Sequence, residues 1–329
     1  MTISFTICSN NYLAHAKTLG DSYLKFHPDH KFIIGLVDTY CDTIDYGAFN
    51  HFEIIPVGKL NMPEFDMLNK KYNIIELNTS VKPAFFHHIF QEYQPAKVIY
   101  LDPDILVLSS FEELLQILQS KNIVITPHMC SPIDDEYTQS DHQLLSTGVF
   151  NLGFIALSDY TKVSDFLNWW QERLFKYGYA NLSKNMFYDQ LWINYVPALY
   201  ENYYILKHPG YNMANWNLHE RILSVYNEQY MVNTDFALRF FHFSGYKHNN
   251  PGVVSCYQNR YTFQDRPELV SLFNYYQEQL KQNNVDIISK AHVFYYPELY
   301  KKKRTVWYKY YTSKVKNALK RRLLFLGSN

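Results

Sequence analysis

The sequence predicts an α/β protein with a largely parallel central sheet, flanked by helices and followed by a helical appendage at the carboxyl end. Two observations carry this expectation. Short apolar runs alternate with segments of helical period from the amino terminus onward, and the runs end in polar or acidic residues, where parallel sheets gather their ligands. At 329 residues with 47% hydrophobic content, the chain can bury a core for one large domain with appendages or for two modest domains.

The first run, Ser4-Phe5-Thr6-Ile7-Cys8, meets polar Ser9-Asn10-Asn11 and gives way to a helical pattern of Leu13, Ala16, Leu19 and Leu24 that stops at His27-Pro28-Asp29. A second run, Phe32-Ile33-Ile34-Gly35-Leu36-Val37, ends at Asp38, and Phe52-Glu53-Ile54-Ile55-Pro56 reads as a third strand. A helix is expected over 82–93. Within 97–108 two apolar stretches read as buried β structure on either side of Asp102-Pro103-Asp104. Residues 124–141 are expected to be loop, and Phe150-Asn151-Leu152-Gly153-Phe154-Ile155-Ala156-Leu157 another central strand. A helix carrying Phe166, Trp169, Trp170 and Leu174 follows, and then Asp189-Gln190 opens a short helix. Residues 203–252, rich in His, Asn and Tyr with little periodicity, are expected to form site-building loops.

Composition narrows the classes of partner. Lys+Arg and Asp+Glu both total 31, so no net field argues for nucleic acid, and an anion must be captured by a local arrangement. Cys8, Cys41, Cys130 and Cys256 contain no CxxC pair, which disfavours a zinc knuckle or a disulfide framework and fits a reducing cytoplasm. No apolar run approaches the ~20 residues of a spanning helix, and a strand-like segment follows Met1 directly, so neither a transmembrane segment nor a signal peptide is expected.

Two carboxylates inside an apolar run demand an explanation, because a buried charge is costly unless it is paired or binds a metal. Asp102 and Asp104, with Pro103 turning the backbone between them, can aim both carboxylates at one divalent cation; hard oxygen ligands suit Mn²⁺ or Mg²⁺. The alternative is a turn whose aspartates cap a helix or face water. His242, in an aromatic run, is either a core histidine or a ligand, and an imidazole ligand favours Mn²⁺. Asp189 either caps the short helix or belongs to a site. Lys82 either binds phosphate or is a solvated lysine at a helix start. The Trp216-Asn217-Leu218-His219 cluster suits an exposed carbohydrate platform or ordinary packing, His87 and His88 read as a helix face without function, and Asp134-Asp135-Glu136 reads as a solvated loop.

Residues 97–108 resemble the strand-DxD-strand segment of family 8 glycosyltransferases of the GT-A fold, a Rossmann-like architecture, and other segments agree in order between Ile3 and Lys247. The resemblance implies that Asn11-Tyr12 meets the nucleotide base through its Tyr, that Asn151-Leu152-Gly153 lines the sugar pocket, and that Asp189-Gln190 sits beside the reacting carbon. It also implies that His242, of His242-Phe243-Ser244-Gly245, is the third metal ligand beside Asp102 and Asp104, with Gly245 and Lys247 at the diphosphate. The sequence departs from the family at Ser9, where the acidic reader of the base edge would fall and where Asn10 or Asn11 stands as the substitute. It departs again at Lys247, which comes one residue early and precedes His248-Asn249-Asn250-Pro251 instead of Pro-Trp.

On this resemblance residues 1–250 form a nucleotide-sugar-binding and catalytic domain and 251–329 a helical region. The expected activity is Mn²⁺- or Mg²⁺-dependent transfer, with retention, from a nucleotide-diphosphate sugar to a glycan or glycolipid acceptor. A sugar-phosphate nucleotidyltransferase would show a Gly-rich, basic phosphate loop near the amino terminus, and the loop here is Ser9-Asn10-Asn11-Tyr12; a non-catalytic carbohydrate-binding scaffold is the other alternative. The basic run Lys301-Lys302-Lys303-Arg304 precedes Trp307, Tyr311, Val315 and Leu319 on one side of a helical pattern. That reads either as an interfacial helix on the anionic cytoplasmic membrane face or as a helix packed on the domain.

Overall fold

The computed structural model describes residues 1–295, so the basic tail lies outside the described residues. The strands are β1 (Thr2–Cys8), β2 (Lys31–Leu36), β3 (Glu53–Pro56), β4 (Lys97–Leu101), β5 (Ile105–Val107), β6 (Ile123–Pro127), β7 (Phe150–Ser158), β8 (Tyr203–Ile205), β9 (Met213–Ala214), β10 (Leu223–Tyr226), β11 (Gln229–Val232), β12 (Phe236–Ala237) and β13 (Phe240–His242). Seven form the central sheet in the order β3-β2-β1-β4-β7-β6-β8. Six run in one direction, and β7 runs against both its neighbours. This is the mostly parallel α/β architecture that the sequence predicts.

Strand periodicity divides the core. From β1, Ile3, Phe5 and Ile7 face one layer, in which Phe85, Phe86 and Ile89 of the helix Lys82–Tyr93 meet Phe166, Trp170 and Leu174 of the helix Tyr160–Tyr177. From β2, Phe32, Ile34 and Leu36 face the other layer with Leu13, Ala16, Leu19 and Tyr23 of the helix Leu13–Phe26. Both faces of the sheet are therefore covered. A second sheet, β5-β13-β9, is seated on a third cluster in which Phe243 stacks on Tyr276 of the helix Val270–Gln282, ring centroids 3.8 Å apart.

One expectation needs correction, and another needs a refinement. Residues 123–127 are a fully buried strand, β6, paired to both β7 and β8, where loop was expected from 124 onward. Residues 203–252 are mostly loop, as expected, but six short strands, β8 to β13, lie among the loops. These strands are two to four residues long, too short to display a period of two, and their order comes from partners distant in sequence.

Candidate metal and nucleotide site

The two aspartates stand where β4 ends. Ile105 N–H donates to the Asp102 carbonyl at 3.2 Å, closing a four-residue turn with Pro103 at its second position. The turn feeds β5, whose Ile105 lies opposite His242 of β13, while Phe243 N–H donates to the Asp104 carbonyl at 2.8 Å. His242 Nε2 is thereby held 3.0 Å from Asp104 Oδ1 and 3.9 Å from Asp102 Oδ2. The three side chains each offer a ligand atom within 4.8 Å of one another, and they are the one such group among the described residues. The imidazole is 3% exposed, but the carboxylates keep 30% and 21% of their side chains open, so a ligand has a face to approach.

The electrostatics are those of charge held out of water. Burial pushes the Asp102 carboxyl above its ordinary value, against the pull of Lys82 and His242. Burial works the same way on Asp104, but the adjacent imidazole outweighs it and holds that carboxyl below the usual range. For His242, burial opposes protonation, and the carboxylates of Asp104 and Asp102 overcome it, so the ring titrates above an ordinary histidine. Two hard carboxylate oxygens and one imidazole nitrogen suit a small divalent cation, Mn²⁺ better than Mg²⁺.

β7 supplies the floor. On its β6 side, Ile125 pairs with Ile155 and the next residue, Thr126, pairs with Asn151, so Leu152, Gly153 and Phe154 arch away from that ladder. Their backbone groups serve the site instead. Gly153 O accepts from Asp102 N–H at 2.8 Å, Gly153 N–H donates to Asn151 Oδ1 at 3.1 Å, and Leu152 O accepts from Lys82 Nζ at 2.9 Å. Gly153 also has to be glycine, since a Cβ there would fall 2.4 Å from His242 Cε1. The Asn151-Leu152-Gly153 motif thus contacts the histidine directly.

Lys82 is not solvated. It is 1% exposed, ion-paired to Asp189 Oδ2 at 2.5 Å, and lies 4.1 Å from the centroid of the Tyr100 ring. Of the two sequence readings, the solvated lysine is the one these contacts rule out. Tyr100 in turn donates to Asp102 Oδ1 at 2.6 Å, so the aspartate of the Asp189-Gln190 pair and the first aspartate of the DxD segment are joined through two side chains. Asp189 makes no side-chain cap to its helix, and Gln190 donates to the Thr147 carbonyl at 2.8 Å.

On the amino-terminal loop, Ser9 and Asn10 turn inward. Ser9 Oγ donates to Val37 O at 3.3 Å, and Asn10 Nδ2 donates to Thr39 O while its Oδ1 accepts from Tyr46. Asn11 and Tyr12 are only partly buried; the Tyr12 ring stacks on His15 at 4.0 Å, and burial followed by the Asp104 carboxylate raises its hydroxyl pKa. His15 was not foreseen. It is 6% exposed, and burial lowers its pKa to about 4 although Asp104 pulls it up. Gly245 adopts φ +77°, and Lys247 beyond it is exposed and close enough to His15 to act on its charge. Trp216 is 3% exposed and sets its edge against His242 at 5.1 Å, so it is packing for the site and not an exposed platform. Asp134, Asp135 and Glu136 are exposed, as a solvated loop would be, and Arg260 holds Asp135 through two nitrogens at 2.7 and 2.8 Å.

No family model matches the chain. Two proteins of Bacillus subtilis (strain 168) are similar in sequence: YfnF, 24% identical over 59% of this chain, and YfnD, 19% identical over 66%. Both are described as uncharacterized, and the match spans 64% and 68% of their lengths. Solved structures of similar shape are glycosyltransferases. The galactosyltransferase LgtC, in complex with donor and acceptor sugar analogues, is matched over 92% of this chain and all of its own at 16% identity and a TM-score of 0.47. GlyE of Streptococcus pneumoniae TIGR4 is matched over 89% of this chain and 66% of its own, at 14% identity and 0.47. Mouse xyloside xylosyltransferase 1 is matched over 74% and 97%, at 12% and 0.45. Likeness at this level assigns the chain to no family.

Proposed function

We propose that this chain is a metal-dependent glycosyltransferase of the GT-A, family 8-like type. It would move a sugar from a nucleotide-diphosphate sugar, a UDP-sugar, to a glycan or glycolipid acceptor with retention of configuration, in cell-surface polysaccharide or lipopolysaccharide synthesis. The observation that carries the reading is the convergence of Asp102, Asp104 and His242 at the carboxyl end of a parallel strand, with open carboxylate faces.

In this reading the three residues hold Mn²⁺. A bound cation of this kind supplies Lewis-acid charge to a departing diphosphate. Lys247, on the exposed loop after Gly245, adds a second positive charge beside it. Asn11 and Tyr12 take the base, since the side chains of Ser9 and Asn10 are engaged elsewhere. Asn151, Asp189 and Gln190 line the sugar side, with Lys82 holding the Asp189 carboxylate in position. The workplace is the cytoplasmic membrane face, reached through the basic tail.

The test is thermal unfolding against a set of nucleotide sugars with and without Mn²⁺. One donor is expected to raise the midpoint only when Mn²⁺ is present, by the equivalent of about 2.7 kcal/mol at a hundredfold excess over its Kd. Asp102→Asn is expected to abolish that shift. No shift with any donor, and no nucleotide diphosphate released, would overturn the proposal.

A further inference from the structure

We propose that Asn212 is a positioning residue that sets the tautomer of His242, so that Nδ1 carries the proton and the Nε2 lone pair faces a cation held by Asp102 and Asp104. The inference rests on the metal-site reading above and adds a residue that no sequence motif singles out.

Behind the ring runs a chain of hydrogen bonds whose polarity is fixed at one end by a backbone amide. A backbone N–H can only donate. The Gly153 N–H meets the Asn151 amide at 3.1 Å, so the atom it meets is oxygen. Asn212 approaches that same oxygen at 3.1 Å, so the Asn212 atom there is the NH₂ group, which also reaches Thr126 Oγ1 at 2.8 Å. The remaining atom of the Asn212 amide is its oxygen, and it faces His242 Nδ1 at 3.4 Å. An oxygen accepts, so Nδ1 is the N–H nitrogen. The other nitrogen, Nε2, lies 3.0 Å from Asp104 and 3.9 Å from Asp102; without a cation it donates to the Asp104 carboxylate, and a cation held there takes the place of that proton while Nδ1 keeps its own.

The surroundings leave the amide no freedom to reverse. Asn212 is 0% exposed and sits at φ +55°, a left-handed conformation that asparagine adopts more readily than most residues. Its carbonyl is held by Asn217 Nδ2 at 2.9 Å, and Asn217 Oδ1 takes the Ala214 N–H at 2.9 Å, which ties the segment to β9. β9 pairs with β13 so that Ala214 lies opposite His242, and this places Asn212 behind the ring while the carboxylates lie in front. Metal-binding imidazoles commonly donate their second nitrogen to such a group, and removing it weakens metal binding ~10–100-fold.

The experiment titrates Mn²⁺ alone into the full chain at fixed pH, with free Mn²⁺ read by electron paramagnetic resonance and folding by circular-dichroism melts. Asn212→Gly keeps the left-handed backbone but removes the acceptor and both donor contacts; it is expected to weaken Mn²⁺ binding ~10–100-fold. Asn212→Asp loses the same two donor contacts yet keeps an oxygen opposite Nδ1, and is expected to bind Mn²⁺ close to wild type. If Asn212→Gly gives no cooperative melt, Asn212→Ser, too short to reach the ring, takes its place. Equal weakening in the aspartate and glycine variants would make Asn212 structural support only and overturn the inference, as would unchanged binding in the glycine variant. Absence of Mn²⁺ binding in the wild type would overturn the metal-site reading and this inference together, whereas the first two outcomes leave that reading standing.

Discussion

Lys82 and Asp189 are 107 positions apart in sequence, yet the ammonium and the carboxylate share one buried ion pair, 1% and 5% exposed. Such a pair contributes little net stability, but breaking it leaves an uncompensated charge in the core, which costs ~3–5 kcal/mol. Lys82→Met is therefore expected to lower unfolding stability by about that amount in urea titrations, and Lys82→Met combined with Asp189→Asn to recover part of it; a single variant within ~1 kcal/mol of wild type would show that the pair is not what holds this corner. Nothing local announces the pair. A lysine at the first position of a helix looks solvated from its neighbours, and only the distant aspartate reveals otherwise. The DxD aspartates were legible for the opposite reason, because two carboxylates within an apolar run are anomalous wherever the chain folds. His242 was legible through the resemblance of His242-Phe243-Ser244-Gly245 to a family motif, whereas Asn212 was not, since a lone asparagine carries no signal apart from the geometry behind it.

At the scale of elements, the long strands and helices were readable and the short strands were not. The helix over 82–93 and β7 carry enough residues to show their period, while β9 and β13, with two and three residues, show none. β6 was missed although all five of its residues are buried, because it is followed by the polar, Pro-containing stretch that reads as loop. β7 also carries a sharp local constraint. In Gly153→Ala the new Cβ would meet His242 Cε1 at 2.4 Å and Asn151 Oδ1 at 2.8 Å, so the ring or the strand must shift. The expected result is a stability loss of ~1–3 kcal/mol and Mn²⁺ binding weakened at least ~10-fold. Gly58→Ala is the control, because a Cβ there meets nothing within 4 Å. If both variants bind Mn²⁺ as wild type does, the ring is not held by that contact.

Over the whole molecule, two sheets meet at one turn: β4 of the central sheet ends at Leu101, just before Asp102, and β5 of the small sheet begins directly after Asp104. The site is a seam between them. The chain carries no net charge, so under the proposed membrane role long-range attraction would come from the four consecutive basic residues that begin at Lys301. No helix among the described residues is long and apolar enough to cross a membrane. We expect deletion of residues after 300 to abolish binding to vesicles containing anionic lipid, at ~1 kcal/mol per basic residue lost, and unchanged vesicle binding in a sedimentation assay would refute the membrane role.

The arch in β7 has one more implication. Restoring regular pairing with β6 would return the Leu152 carbonyl and the Gly153 amide to the ladder, and with them the groups that now serve Lys82 and Asn151. Such a variant would make a tidier strand and leave Lys82 and Asn151 without these partners. Stabilisation by idealising this sheet should therefore start at its outer edges and leave the interruption alone.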